Sequence, residues 1–161
     1  MKRICLAIAC LALSPLTIGC ASSAPQAERK SDTAGREVHG HGAGPHDGAV
    51  TDWGGGKYHV EFTVDHNKKE ATVYILGGDE KTPAPVKAAN ITLSINEPAF
   101  EVELRAQPLE GESAGMSSRF VGTHENLGIV REFAGTISGE IEGTPYAGDF
   151  KEEPHGADQK H

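Results

Sequence analysis

The sequence predicts an all-β fold, a single immunoglobulin-like antiparallel β-sandwich of about seven strands over residues 46–151. Three observations predict it. Apolar residues recur with a period of two, clusters of Gly, Pro, Asn and Asp separate these runs, and no helical period extends far enough to indicate a long helix. A small β-barrel is the second candidate architecture.

The first predicted hairpin is the clearest element. Residues 58–65 alternate strictly between apolar and polar side chains, residues 66–69 form a polar turn, and residues 70–76 form the second strand. In the first strand, the apolar face carries Tyr58, Val60, Phe62 and Val64, and the polar face carries His59, Glu61, Thr63 and Asp65.

Five further segments complete the predicted sheet structure. They are residues 90–95, 100–105, 117–122, 132–141 and 144–150. The last two are expected to pair across Glu142-Gly143 as a closing hairpin, because a two-residue loop with Gly at its second position is a common hairpin turn. Residues 124–131 are expected to contain a short helical turn.

An export signal is predicted at residues 1–19. Lys2 and Arg3 precede an apolar run over residues 4–13. That run has the length of a signal-peptide core and is shorter than the roughly 20 residues that a transmembrane helix needs.

The predicted signal ends at a cysteine. Residues 16–20, Leu-Thr-Ile-Gly-Cys, resemble the lipobox of bacterial lipoproteins, although Thr17 stands where that pattern prefers Leu. The resemblance implies that Cys20 carries a lipid. An ordinary secreted protein that is cut nearby is the alternative.

The remaining chain organisation follows from composition. Residues 20–45 are rich in Ala, Ser, Pro, Gly and charged residues, and residues 152–161 are also poor in apolar residues, so we expect a disordered His/Gly-rich tether and a disordered tail. The expected location is the periplasmic side of a membrane. Ala21 after the cysteine favours the outer membrane by the proteobacterial convention.

Charge and cysteine content exclude several functions. The net charge is −8, and removal of residues 1–19 takes away two basic residues and no acid, which gives −10. Nucleic-acid partners and polybasic membrane binding are therefore not expected. Cys5 and Cys10 lie in the removed segment, so the mature chain has neither an internal disulfide nor a thiolate metal site.

Histidine is the unusual feature of the composition. Five of the eight histidines fall between residues 39 and 66. Imidazole and carboxylate ligands suit Zn, Cu(II), Ni or Co. The candidate metal ligands are His39, His41, His46, His59, Glu61 and His66. The alternative is that these histidines are ordinary surface and linker residues.

A family resemblance lies at the same residues. Residues 46–50 (His-Asp-Gly-Ala-Val), 54–61 (Gly-Gly-Gly-Lys-Tyr-His-Val-Glu), 71–76 and 117–121 resemble small exported bacterial lipoproteins with a His-Gly-rich tract and a Tyr-His-Val-Glu β domain. A similar segment occurs near periplasmic adaptors of heavy-metal efflux systems. The resemblance implies an exported β domain linked to metal handling, with His46, His59 and Glu61 at the matching positions. Asp47 replaces a Gly of the pattern.

Catalytic motifs are not found in the sequence, and we expect no enzymatic activity. His124-Glu125 lacks the second histidine of a zinc-protease helix, and no Gly-x-Ser-x-Gly elbow occurs. The sequence predicts a divalent transition-metal-binding accessory lipoprotein that captures or buffers ions, with an envelope protein such as a metal-efflux component as partner. The alternative is a non-catalytic structural or protein-interaction lipoprotein with incidental histidines.

Overall fold

Eight antiparallel strands make up the folded part of the chain. The structure, a computed structural model, describes residues 42–153. Its strands are β1 (Ala49–Trp53), β2 (Tyr58–Asp65), β3 (Glu70–Leu76), β4 (Asn90–Ile95), β5 (Phe100–Ala106), β6 (Arg119–Thr123), β7 (Ala134–Ile141) and β8 (Thr144–Lys151), with a 3₁₀ helix at Glu125–Gly128. In this part of the chain, no helix is long and apolar enough to cross a membrane.

All eight strands belong to one sheet, which curls until it is nearly closed like a barrel. The strand order is β1-β2-β3-β6-β5-β4-β7-β8. The first and last strands touch, since a Cβ on Gly148 of β8 would lie 2.7 Å from the carbonyl oxygen of Asp52 in β1. The all-β antiparallel prediction is confirmed. The immunoglobulin-like sandwich is not, because continuous pairing around the curl leaves one sheet where a sandwich has two.

The predicted strands are present, with small shifts at their ends. β2, β3 and β4 have the predicted bounds, while the strand predicted at 117–122 begins at Arg119 and the one predicted at 132–141 begins at Ala134. Ile141 pairs with Thr144, so the closing hairpin across Glu142-Gly143 is confirmed. The helical turn predicted within 124–131 is the 3₁₀ helix.

The sequence prediction missed β1. Antiparallel pairing with β2 matches Ala49 with Phe62, Thr51 with Val60 and Trp53 with Tyr58. Paired residues share a face of the sheet, so the inward side of β1 consists of Ala, Thr and Trp, and Val50 lies on the outward side. A strand with this arrangement does not show the apolar alternation that identified the others.

Large side chains fill the interior of the curled sheet. Trp53, Phe62, Phe120 and Phe133 are all at most 1% exposed. The Trp53 indole nitrogen donates to the carbonyl oxygen of Ile137 at 3.2 Å and ties β1 to β7 across the core. The interior is therefore a packed core, as expected for a cylinder of about eight strands. Functional side chains must be sought on its outer surface.

Candidate histidine–carboxylate sites

Glu61 is the most deeply buried charged residue in the described chain, with an exposed fraction of 0%. It lies on the outward side of β2, the polar face that the sequence predicted. One carboxylate oxygen accepts from the backbone amides of His46 and Gly48, at 2.7 and 2.9 Å. The other pairs with the His46 ring nitrogen Nδ1 at 2.7 Å. Three donors therefore compensate the burial of this carboxylate.

Residues 44–48 cover Glu61 by crossing the outer face of β2. The amide of Gly44 donates to the carbonyl of Gly48, and Asp47 adopts a left-handed φ of 59°. Glycine is required at residue 48, because a Cβ there would lie 2.3 Å from the carbonyl oxygen of Phe62. Because the backbone approaches so closely, residues 44–48 can cover the polar face of β2 at Glu61.

Two contacts fix the orientation of the His46 ring, one with Tyr74 and one with Glu61. The ring stacks on Tyr74 of β3 with ring centroids 3.7 Å apart and an interplanar angle of 7°. Tyr74 is the register partner of Glu61, so the stacking and the carboxylate contact come from neighbouring positions of the sheet. The His46 side chain remains 39% exposed. Its orientation is fixed while solvent still reaches it.

His59 forms a second cluster, about 7 Å along β2 from Glu61 at two residues' separation. Its exposed fraction is 5%. Ring nitrogen Nδ1 lies 3.0 Å from the carbonyl oxygen of Gly77. Since a carbonyl only accepts, Nδ1 carries the proton. The other nitrogen, Nε2, lies 2.8 Å from Asp52 Oδ1 and 3.4 Å from Glu80 Oε1.

The sheet and one short loop position these partners. Asp52 is directly opposite His59 in the β1–β2 ladder, and Leu76 is opposite it in the β2–β3 ladder. Gly77 follows Leu76 immediately and begins the loop of residues 77–82. Glu80, within that loop, adopts a left-handed φ of 60°, which is uncommon for a residue other than Gly, Asn or Asp.

Asp79 holds this loop in shape. It accepts from the backbone amides of Lys81 and Thr82, at 3.1 and 2.9 Å, and from the Thr82 hydroxyl. The hydroxyl of Thr82, followed by these two amides, lowers the pKa of Asp79 to about 2. Hydrogen bonds to the ionised form favour it over the neutral acid. The loop that presents Glu80 is thus organised by a charged carboxylate.

Two further histidines make structural hydrogen bonds. His66 Nδ1 donates to the carbonyl of Leu127 at 2.8 Å. His124 Nδ1 instead accepts from the amide of Asn126 at 3.1 Å and caps the 3₁₀ helix. His66 and His46 line one cavity of about 530 Å³.

The sequence-predicted metal ligands fall into separate groups. His46 joins Glu61, while His59 turns to Asp52 and Glu80, and His66 contacts the 3₁₀ helix. Within residues 42–153, no group of three or more His, Cys, Asp or Glu side chains is placed to hold a metal ion as it stands. Cys20, His39 and His41 lie outside the described residues.

Sequence reasoning missed Asp52 and Glu80. Asp52 was missed because its strand was not predicted, and Glu80 was missed because the sequence assigns it to no element. One signal was available for Asp52: folding the chain back across residues 54–57 as a hairpin pairs Trp53 with Tyr58 and therefore places Asp52 opposite His59. The left-handed turn that aims Glu80 has no comparable signal.

Comparisons with known proteins give no relative on which to base a function: no protein-family model matches the chain, and neither does any curated protein or solved structure.

Proposed function

We propose that this protein is a divalent transition-metal-binding accessory lipoprotein of the bacterial envelope, which captures or buffers ions. Cys20 would carry the lipid anchor on the periplasmic side, with the outer membrane favoured. A partner such as a metal-efflux component follows from the family resemblance alone. The proposal assigns no catalytic step.

One observation carries the proposal. His46, His59 and His66 each direct Nδ1 at an acceptor, which is a carboxylate for His46 and a backbone carbonyl for the other two. Imidazoles that coordinate metals through Nε2 are typically held in this way, because the bond at Nδ1 fixes both ring orientation and tautomer. Holding three histidines in one orientation-fixing mode supports a metal-binding domain.

Metal titration tests this function. The full chain, produced in bacteria, solubilised in detergent and with its thiols alkylated, is titrated calorimetrically with Zn²⁺, Cu²⁺ and Ni²⁺. Alkylation removes thiol binding, so the heats report nitrogen and oxygen ligands. We expect micromolar or tighter binding at a fixed stoichiometry. Weak, non-stoichiometric heats for all three ions would contradict the proposal.

The lipid anchor is tested separately. Metabolic labelling with a radioactive fatty acid should mark the wild-type chain, and Cys20→Ser should abolish the label. A labelled Cys20→Ser variant would place the lipid elsewhere. An unlabelled wild-type chain would support the secreted alternative.

A second function, a non-catalytic structural or protein-interaction module, is favoured by a different observation. Every histidine between residues 42 and 153 makes an internal hydrogen bond, and these bonds stabilise the fold without any ion. Under this function, His46→Ala would lower the free energy of unfolding while the metal titration gave no stoichiometric heat.

A further inference from the structure

We propose that His59, Asp52 and Glu80 form a binding site for one divalent transition-metal ion, with Zn²⁺ as the representative ion. This inference rests on the proposed metal-binding function and locates it. The site lies on the outer face of the sheet, where β1, β2 and the loop of residues 77–82 meet.

The orientation of the His59 ring supports this metal site. Its Nδ1–H bond to the Gly77 carbonyl leaves Nε2 as the nitrogen that faces Asp52 and Glu80. Without a proton, Nε2 has one lone pair for a metal, and oxygens of two carboxylates lie within 3.4 Å of it. A lone pair and a carboxylate oxygen 2.8 Å apart repel unless a proton or a cation lies between them. A metal ion meets this requirement in place of a proton, and it would be bound by all three groups.

The distances from His59 Nε2 to the oxygens of Asp52 and Glu80 are also close to those around a bound metal ion. Ligand atoms about 2.0 Å from a tetrahedral Zn²⁺ lie about 3.3 Å from each other. The separation of 3.4 Å between Nε2 and Glu80 Oε1 already matches this value, whereas the 2.8 Å to Asp52 Oδ1 is a hydrogen-bond length. Asp52 must therefore retreat by about 0.5 Å when an ion replaces the proton. This retreat explains why the three side chains do not form a finished metal geometry as they stand.

The exposed fraction of each side chain fits that movement. The His59 side chain is 6% exposed, while those of Asp52 and Glu80 are 36% and 43% exposed. The nitrogen is thus fixed, and the two carboxylates have room to rotate toward an ion and admit water as a fourth ligand. Glu61 is less suitable, because its two oxygens already accept three hydrogen bonds.

The ligand chemistry selects the class of ion. One imidazole nitrogen and two carboxylates suit Zn, Ni, Co or Cu(II), whereas Cu(I) prefers sulfur and Mg²⁺ and Ca²⁺ prefer oxygen alone. Two carboxylates also balance the charge of a divalent ion, so the bound state leaves no net charge beside the buried ring.

The test follows His59 itself. The imidazole ¹⁵N resonances of the full, thiol-alkylated chain are recorded by NMR during titration with Zn²⁺. We expect the His59 Nε2 resonance to move to a zinc-coordinated position in step with the calorimetric heat. Asp52→Asn and Glu80→Gln, which preserve side-chain size, should each weaken zinc binding at His59 about tenfold or more. Glu140→Gln, on the exposed face of β7, is the matched control and should leave it unchanged.

The outcomes separate the inference from the proposed function. Stoichiometric zinc binding with unmoved His59 resonances, or with wild-type affinity in both Asp52→Asn and Glu80→Gln, would overturn this site and leave metal binding to other histidines. An absence of zinc binding to the whole chain would overturn both. Because Asp52 and Glu80 are partly exposed, both variants are expected to fold, and their amide spectra will check this.

Discussion

Removal of the Glu61 carboxylate should strongly destabilise the domain, although burying a charge is itself costly. In Glu61→Ala, the amides of His46 and Gly48 lose their acceptor. A buried donor left without an acceptor costs about 1–3 kcal/mol. The buried Gly48 amide carries this cost in full and the part-buried His46 amide carries only part of it, so we expect a loss of about 1–4 kcal/mol. The exposed part of the His46 ring can turn to water, so we add nothing for it.

Glu61→Gln separates the hydrogen bonds from the charge. The amide oxygen can still accept from both backbone amides, but the amide nitrogen then faces His46 Nδ1, and the ring must change tautomer. We expect a loss of about 1–2 kcal/mol, less than for Glu61→Ala. Glu140→Gln, on an exposed part of β7, should change the free energy of unfolding by less than about 0.5 kcal/mol.

Urea denaturation of residues 21–161 measures these differences. The fluorescence of Trp53 reports unfolding, since it is the single tryptophan and is fully buried. A buried charge with insufficient compensation is often replaced by a neutral group with a gain in stability. If Glu61→Gln were as stable as wild type or more stable, the three hydrogen bonds would not outweigh the cost of burying the charge, and our reasoning would be wrong.

Three further predictions concern local backbone and charge. Gly48→Ala should lower the free energy of unfolding by about 1–3 kcal/mol, because its Cβ would lie 2.3 Å from the carbonyl oxygen of Phe62. Gly42→Ala is the control, since no atom lies within 4 Å of the new Cβ. Equal urea midpoints for the two variants would contradict the prediction. The pKa of Asp79 is about 2, against an ordinary value of 3.8. The ionised carboxylate therefore stabilises the folded state fully above about pH 3.8, and this contribution is lost as the pH falls through about 2. Titration of the carboxyl group by NMR should give a midpoint near 2 and not near 3.8. Glu142→Asn should stabilise the folded domain by about 0.5–1 kcal/mol, because Glu142 has a φ of 51° before Gly143 and Asn tolerates this conformation better. Thermal unfolding measures the effect, and an unchanged or lower melting temperature would contradict this prediction.

The strands that alternate apolar and polar side chains could be predicted from the sequence, and the way they close could not. β2 and β3 have the predicted bounds because each inward position carries an apolar side chain. The choice between one curled sheet and two packed sheets depends on contacts between distant strands, such as Phe62 in β2 against Phe150 in β8, with ring centroids 4.5 Å apart. Alternation is the same in both architectures, so it does not distinguish them.

The candidate sites could be predicted only in part for a related reason. The alternation of β2 correctly placed His59 and Glu61 on one face, but it implied that this face is exposed. Both residues are buried, because the backbone of residues 44–48 covers Glu61 and the Gly77 loop contacts His59. Partners contributed by loops depend on left-handed residues such as Asp47 and Glu80, at φ of 59° and 60°. Strand periodicity carries no information about such residues.

The most direct measurement is anomalous diffraction from crystals of the protein grown with Zn²⁺. We expect a zinc peak about 2.0–2.1 Å from His59 Nε2, with oxygens of Asp52 and Glu80 completing the site and Nδ1 still donating to the carbonyl of Gly77. An ordered His59 without a zinc peak at saturating Zn²⁺, with its Nε2 still 2.8 Å from Asp52 Oδ1, would contradict a zinc site at His59.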